Sequence, residues 1–197
     1  MPIGVPKVPF RIPGEEDPVW VDMYTRLYRE RVLFLSQRVQ RGNANLLIST
    51  MIFLSGEDAN KDIFFFINSH GGSVIDGLAI YNVMITIKPL VSTICSGFAA
   101  SMASLLLAGG EIGKRIAFSH ARVMIHQPSC YFGILTRDQV YGETEELLSI
   151  RRTMTHIYAI RTATPYEVIS ADMDKDKYMS AEEAKAYGIV DFVGKKI

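Results

Sequence analysis

One pattern occurs twice in succession: a short buried run, a loop of small residues, then an apolar helix. From Asp62 to Ile67 a phenylalanine-rich run reads as a buried strand. Asn68 to Ser73 follows with Gly71 and Gly72 inside it, and Val74 to about Ile87 is an apolar helix closed by Lys88 and Pro89. The second unit starts at Val91. Val91, Thr93 and Ile94 are β-branched and read with Cys95 as a short, fully buried strand, which Ser96 and Gly97 break. Ala99, Ala100, Ser101, Ala103 and Ser104 are small, and Leu105 to Ala108 continue as a helix apolar nearly all round until Gly109 and Gly110 stop it. Consecutive strand–loop–helix units are the arrangement of βαβ connections in a parallel sheet, so the expected class is α/β. Loops after parallel strands gather on one sheet edge, which places the Gly71–Gly72 loop and Ser101 together.

The remaining elements follow in order. Met1 to Pro18 holds five prolines and reads as an extended arm or loop with apolar Val5, Val8, Phe10 and Ile12. Asp22 to Arg31 reads as a short charged helix and Val32 to Leu35 as a strand. Asn43 offers an N-cap to a helix that ends at Gly56. Ile116 to Phe118 and Arg122 to His126 are strand signals, and Ser129 to Gly133 is a loop. Thr136 with Gln139 forms a capping box that opens a long helix to about Arg161. A helix of that length projects or packs on another chain, and Leu147, Ile150, Met154, Ile157 and Tyr158 give it an apolar stripe for such a contact. Pro165 starts a short helix, and Ser180 with Glu183 caps another that Gly188 ends.

Composition narrows the function. At 197 residues and 48% hydrophobic the chain is long enough for one well-buried domain, and its formal net charge of zero gives no electrostatic case for nucleic acid or an anionic membrane. No apolar run approaches a membrane span. Cys95 and Cys130 form neither a disulfide framework nor a metal-ligand spacing, and Cys95 reads as core filling. The opening matches neither a signal nor a transit peptide, so the protein is expected to work where it is made. Neither glycine pair has the spacing of a phosphate-binding loop.

A hydroxyl just past a strand-to-helix turn, near the positive end of a buried helix, becomes a nucleophile when a base lies within reach. Ser101 holds that position, which also suits close packing of helix on sheet. His126 at a strand end is best placed to serve as base; His70 in the glycine loop and His120 before a strand remain alternatives, while His156 lies on the long helix. Asp172, Asp174 and Asp176 are candidates for the carboxylate that orients the imidazole. The N–H groups of Gly72 and Met102 are natural oxyanion donors.

Three stretches together resemble one known family: Gly97-Phe98-Ala99-Ala100-Ser101-Met102, Arg122 to Pro128, and Asp176-Lys177-Tyr178-Met179-Ser180-Ala181 with Glu183-Ala184. They are similar to the signatures of the Clp protease proteolytic subunits, over about Asp22 to Val193, and Met1 to Phe10 with Gly109-Gly110-Glu111-Ile112 resemble the plastid-encoded branch. The resemblance implies a crotonase-like superhelix of repeated ββα units, with a proline-rich axial arm at 1–20, one proteolytic domain at 21–197 and a handle helix at about 136–161. It implies Ser101 as nucleophile, His126 as base, Asp176 as orienting carboxylate, and Gly72 and Met102 as oxyanion donors. It further implies a serine endopeptidase of the chloroplast stroma that binds no cofactor. Unfolded polypeptides would reach it through a separate AAA+ ATPase, which uses the ATP. Homologous subunits would join it in two stacked seven-membered rings, of mixed composition.

Some positions depart from the family pattern: His70 for a usual Pro, Ser96 for Met, bulky Phe98, Lys175 for a ring-bridging Arg, and Ser129 to Phe132 for a glycine-rich stretch. The other readings are a crotonase-type acyl-CoA enzyme, which also uses paired backbone donors, and a ring subunit that is mainly structural.

Overall fold

The computed structural model describes residues 4–11, 14, 17–129, 133 and 136–194. The chain opens on an antiparallel pair, β1 (Lys7–Phe10) and β2 (Val19–Asp22), with Lys7 opposite Asp22 and Phe10 opposite Val19. A two-stranded ribbon has only edge strands, where the ladder tolerates Pro9. Asp22 then caps α1 (Met23–Arg29) by accepting the Thr25 N–H at 2.9 Å. Arg26 and Arg29 of this helix lie over the Phe10 ring, at 5.4 and 4.4 Å, and tie the ribbon to it. Ile12 and Pro13 of the expected arm, like Cys130, lie outside the described residues.

From there strands and helices alternate: β3 (Val32–Leu35), α2 (Arg41–Glu57), β4 (Ile63–Ser69), α3 (Val74–Thr86), β5 (Val91–Ala100) and α4 (Met102–Ala108). Then come β6 (Arg115–Phe118), β7 (Arg122–Ile125), α5 (Arg137–Thr162), α6 (Tyr166–Asp172), β8 (Lys177–Ser180), α7 (Ala181–Ala186) and β9 (Phe192–Gly194). The main sheet runs β3-β4-β5-β6-β9 with every neighbouring pair parallel; β7 joins β5 in parallel and carries β8 antiparallel. The α/β class with a largely parallel sheet is as the sequence indicates.

Three local expectations change. Gln40, not Asn43, is the N-cap of α2: Asn43 sits one turn inside, where its side-chain oxygen accepts the Gln40 N–H at 2.9 Å. Ser96 and Gly97 do not end β5, which runs ten residues. Its first half pairs with β6 (Thr93 to Cys95) and its second with β7 (Phe98 to Ala100). On the β4 side the register shifts between Ile67 and Ser69, and there the Asn68 side chain accepts the Phe98 N–H at 3.0 Å. A Cβ at Gly97 would stand 2.7 Å from that Asn68 oxygen, so the glycine makes room for the side chain that bridges the irregularity.

The third change concerns α5. Its capping box at Thr136 and Gln139 is present, but Met154 and Tyr158 are fully buried in the chain's own core, with Ile150 and Ile157 packed against it. That half of the stripe is covered from within, by α4 and α6. The N-terminal half exposes Val140, Tyr141 and Leu148 instead. All seven residues of α4 are buried, and the core around them joins Leu33, Phe65, Ile67, Ile80, Val123 and Ile189. Buried Arg115 and half-buried Asp191 form an ion pair at 2.7 Å that joins β6 to the turn before β9, and Arg115 also donates to the Arg161 carbonyl at 2.8 Å.

Candidate active site

The carboxyl ends of β4, β5 and β7 deliver the glycine loop, Ser101 and His126 to one edge of the sheet. Ser101 is the N-cap of α4, with φ 55° and ψ −125°, a conformation rare outside glycine that costs about 1–3 kcal/mol. It is held from both sides. Its N–H donates to Met124 O at 2.9 Å, and its carbonyl accepts from the Ser104 and Leu105 N–H groups at 3.0 and 3.2 Å.

The glycine loop lies directly on this turn. A Cβ at Gly71 would stand 2.6 Å from Ala100 O, 2.8 Å from Ser101 Cβ and 2.9 Å from Met102 N, and Gly71 has φ +84°. Behind it, Val39 N–H donates to Gly71 O at 2.8 Å and Ser73 N–H to Val39 O at 2.9 Å, which leaves no space for a side chain at Gly72. Among the described residues, the N–H groups of Gly72 and Met102 have no hydrogen-bond acceptor, and the loop that carries Gly72 packs against the Met102 N at Gly71.

Strand register explains the rest. β7 pairs with β5 so that Ala100 faces Met124, and with β8 so that Ile125 faces Lys177. One residue further on, His126 meets Asp176: Nδ1 and Oδ1 are 3.4 Å apart, with the imidazole about three-quarters buried and Asp176 half exposed. The other two acids are taken. Asp174 pairs with Arg151 at 2.6 Å. Asp172 accepts from Lys177 Nζ and the Tyr187 hydroxyl, both at 2.7 Å. Burial alone would raise the Asp172 carboxyl, but these donors outweigh it and hold the group below its ordinary value. Burial first, and then the hydrogen bond to Asp172 and its charge, push the Tyr187 phenol well above its own. Among the described residues, no hydrogen bond joins the Ser101 hydroxyl to His126. Apo sites often hold such pairs apart until substrate binds.

The other histidines stand elsewhere. His70 stands edge-to-face with Phe98, ring centroids 4.9 Å apart, exposed at the loop's rim. His120 is exposed in the β6–β7 turn and His156 on α5. Cys95 is fully buried, and burial pushes its thiol up to about 11, which leaves it unreactive. Among the described residues, no group of His, Cys, Asp and Glu could hold a metal ion, and no helix is long and apolar enough to cross a membrane.

Two residues near the site escaped the sequence reading. Ser104 Oγ lies 2.7 Å from both Ser101 O and Met124 O, and 2.8 Å from the hydroxyl of Tyr158. The signal was present as a lone hydroxyl in the apolar run of α4, but its buried partner comes from α5, 54 residues away in sequence.

A family model described as Clp protease matches residues 14–196. The chain is 60% identical over 193 residues to the ATP-dependent Clp protease proteolytic subunit of Epifagus virginiana, covering 98% of each chain. It is 59% identical to that of Glycine max over the same length, again 98% of each, and 58% identical to that of Gossypium hirsutum over 196 residues, all of both chains. Matches of that identity over the whole length cover the glycine loop, the Ser101 turn and the strands that carry His126 and Asp176 alike. The chain belongs to the Clp protease family, as a proteolytic subunit of the serine endopeptidase type.

Proposed function

We propose that Ser101 is the nucleophile of this endopeptidase, His126 its base and Asp176 the carboxylate that orients the imidazole, with the Gly72 and Met102 N–H groups as oxyanion hole. The observation that carries the assignment is the 3.4 Å approach of His126 to Asp176, from a strand whose Met124 carbonyl binds the Ser101 N–H. In this reading Ser101 Oγ attacks the scissile carbonyl while His126 Nε2 accepts its proton. The negative oxygen settles on the two backbone donors. His126 then gives the proton to the leaving amine, and a water molecule repeats the sequence to release the acyl group from Ser101. Asp176 keeps the remaining imidazole proton on Nδ1.

The protein works in the chloroplast stroma on unfolded polypeptides. We extend the reading to its assembly: two stacked seven-membered rings of homologous subunits in mixed composition, fed by a AAA+ ATPase that does the ATP hydrolysis. The segment at 1–20 forms the axial arm and 21–197 one crotonase-like proteolytic domain, with α5 as handle between rings. The strand–helix alternation and the division of β5 between two neighbours support that architecture.

Ser101→Ala should abolish peptide cleavage and fluorophosphonate labelling while the particle still assembles. Asp176→Asn should cut turnover by about four orders of magnitude through the wrong imidazole tautomer. Labelling at Ser69, Ser96 or Ser104, or a comparable loss from Asp174→Asn with Asp176→Asn near wild type, would overturn the assignment.

A further inference from the structure

We infer that Tyr158 and Ser104 are a positioning pair that sets the reactivity of Ser101; the inference rests on Ser101 being the nucleophile. Tyr158 belongs to α5 and is fully buried, so its ring already satisfies the packing and a phenylalanine would fill the same space. Its hydroxyl adds something else. It lies 2.8 Å from Ser104 Oγ and 3.3 Å from Ser101 O. Ser104 Oγ in turn reaches Ser101 O and Met124 O, each at 2.7 Å.

The node therefore touches both halves of the site. Ser101 O belongs to the strained residue itself, at φ 55°. Met124 O belongs to β7, which ends at Ile125 directly before His126, and it also accepts the Ser101 N–H. The Ser104 and Tyr158 hydroxyls bring one proton each to this buried pair of carbonyls. Neither hydroxyl has water to fall back on, because Ser104 and Tyr158 are both fully buried. Burial also raises the Tyr158 phenol far above its ordinary value, so it stays a protonated donor throughout the working range.

Removing the Tyr158 hydroxyl frees Ser104 to rotate and loosens the link between the Ser101 carbonyl and β7. The spacing of Ser101 and His126 then relaxes while the fold persists. That is a loss in the chemical step rather than in substrate binding, since the Ser104 and Tyr158 side chains do not reach the surface.

The test uses the assembled particle that contains this chain, as wild type, Tyr158→Phe, Ser104→Ala and the double variant. The readouts are fluorophosphonate labelling rate, kcat and KM on a peptide, and melting temperature. Wild-type label mapping to Ser101 keeps the catalytic reading standing; label on another serine overturns that reading and this inference with it. With Ser101 labelled, Tyr158→Phe should lower labelling rate and kcat in parallel by about tenfold with KM within about twofold, misplacement of reacting atoms by about 1 Å costing up to ~100-fold. The double variant should match Ser104→Ala within about twofold, as coupled partners do. Wild-type labelling in Tyr158→Phe overturns the inference. So does a loss that follows only the melting temperature or particle yield, or effects of the two substitutions that multiply.

Discussion

At Gly71 the loop passes over the Ser101 turn so closely that a methyl group would stand 2.6 Å from Ala100 O and 2.8 Å from Ser101 Cβ. These neighbours are backbone and the root of the side chain, neither of which can swing aside. The positive φ of 84° adds strain for any residue with a Cβ. Gly71→Ala is therefore expected to push the loop off the turn and displace the Gly72 N–H, the proposed oxyanion donor, with a loss in kcat of about 100-fold or more from a shift near 1 Å. Peptide turnover per assembled particle measures it, and near-normal turnover would show that the loop yields more easily than its contacts suggest. Much of this was legible beforehand: the glycine pair, Ser101, His126 and the three acids all stand out by residue type and place. The choice among the acids came only from the family resemblance, because residue type and place leave it open and it depends on strand register. Only the pairing of Ile125 with Lys177 turns Asp176 toward the imidazole, while Arg151 and Lys177 claim its neighbours.

Helix α4 is short, yet each of its seven residues is buried and it touches α3, β4, β5, β7 and α5. Its stability comes from that envelopment, since seven residues alone would not hold a helix in water. Leu106→Ala should cost about 2–5 kcal/mol, as deletions in closed cores do, and denaturant unfolding of the chain reads it. A cost below about 1 kcal/mol would mean that the surroundings collapse to fill the gap. Elements of this kind were readable from sequence because their periodicity and caps are local: the Ser180–Glu183 box and the Thr136–Gln139 box both form. What covers an apolar stripe is not local. Tyr158 has the spacing of an interface residue on α5, but α4 lies against it and the hydroxyl is turned to Ser104. The extension of β5 through Ser96 and Gly97 was likewise hidden, because the Asn68 side chain that bridges it comes from the neighbouring strand.

Across the whole molecule, the Arg115–Asp191 pair ties the far edge of the sheet to the ends of α4 and α5. Asp191 also accepts the Gly113 and Arg115 N–H groups at 2.8 and 3.0 Å. Burial by itself would raise the Asp191 carboxyl, but Arg115 and these donors outweigh it and hold it below 3.8. Its contribution to stability is then complete above the unfolded-state value, about 4, and is lost as the pH falls through the lower folded value. Asp191→Asn leaves Arg115 buried without its counter-charge and should cost about 3–5 kcal/mol near neutrality, with the gap to wild type closing below about pH 4. Thermal unfolding across that range checks it; a gap that stays constant with pH would contradict the ion-pair account. In the proposed assembly, the exposed Val140, Tyr141 and Leu148 of α5 would give the handle its surface for a sister subunit. Expressed alone, the chain should sediment as monomers or incomplete rings with little activity, and co-expression with sister subunits should restore both. A fully active fourteen-subunit particle from this chain alone would refute the mixed-ring reading without touching the catalytic residues.

β5 is fastened to β6 along Thr93 to Cys95 and to β7 along Phe98 to Ala100, like a rail clamped by a different sleeper at each end. The β7 pairings run up to Ala100, the residue before Ser101, and they bring β7, and with it β8, to the edge. His126 and Asp176 hang from the adjoining ends of one short β7–β8 ribbon, so any displacement of that ribbon is expected to carry the two together and to change their approach to Ser101 more than their mutual spacing.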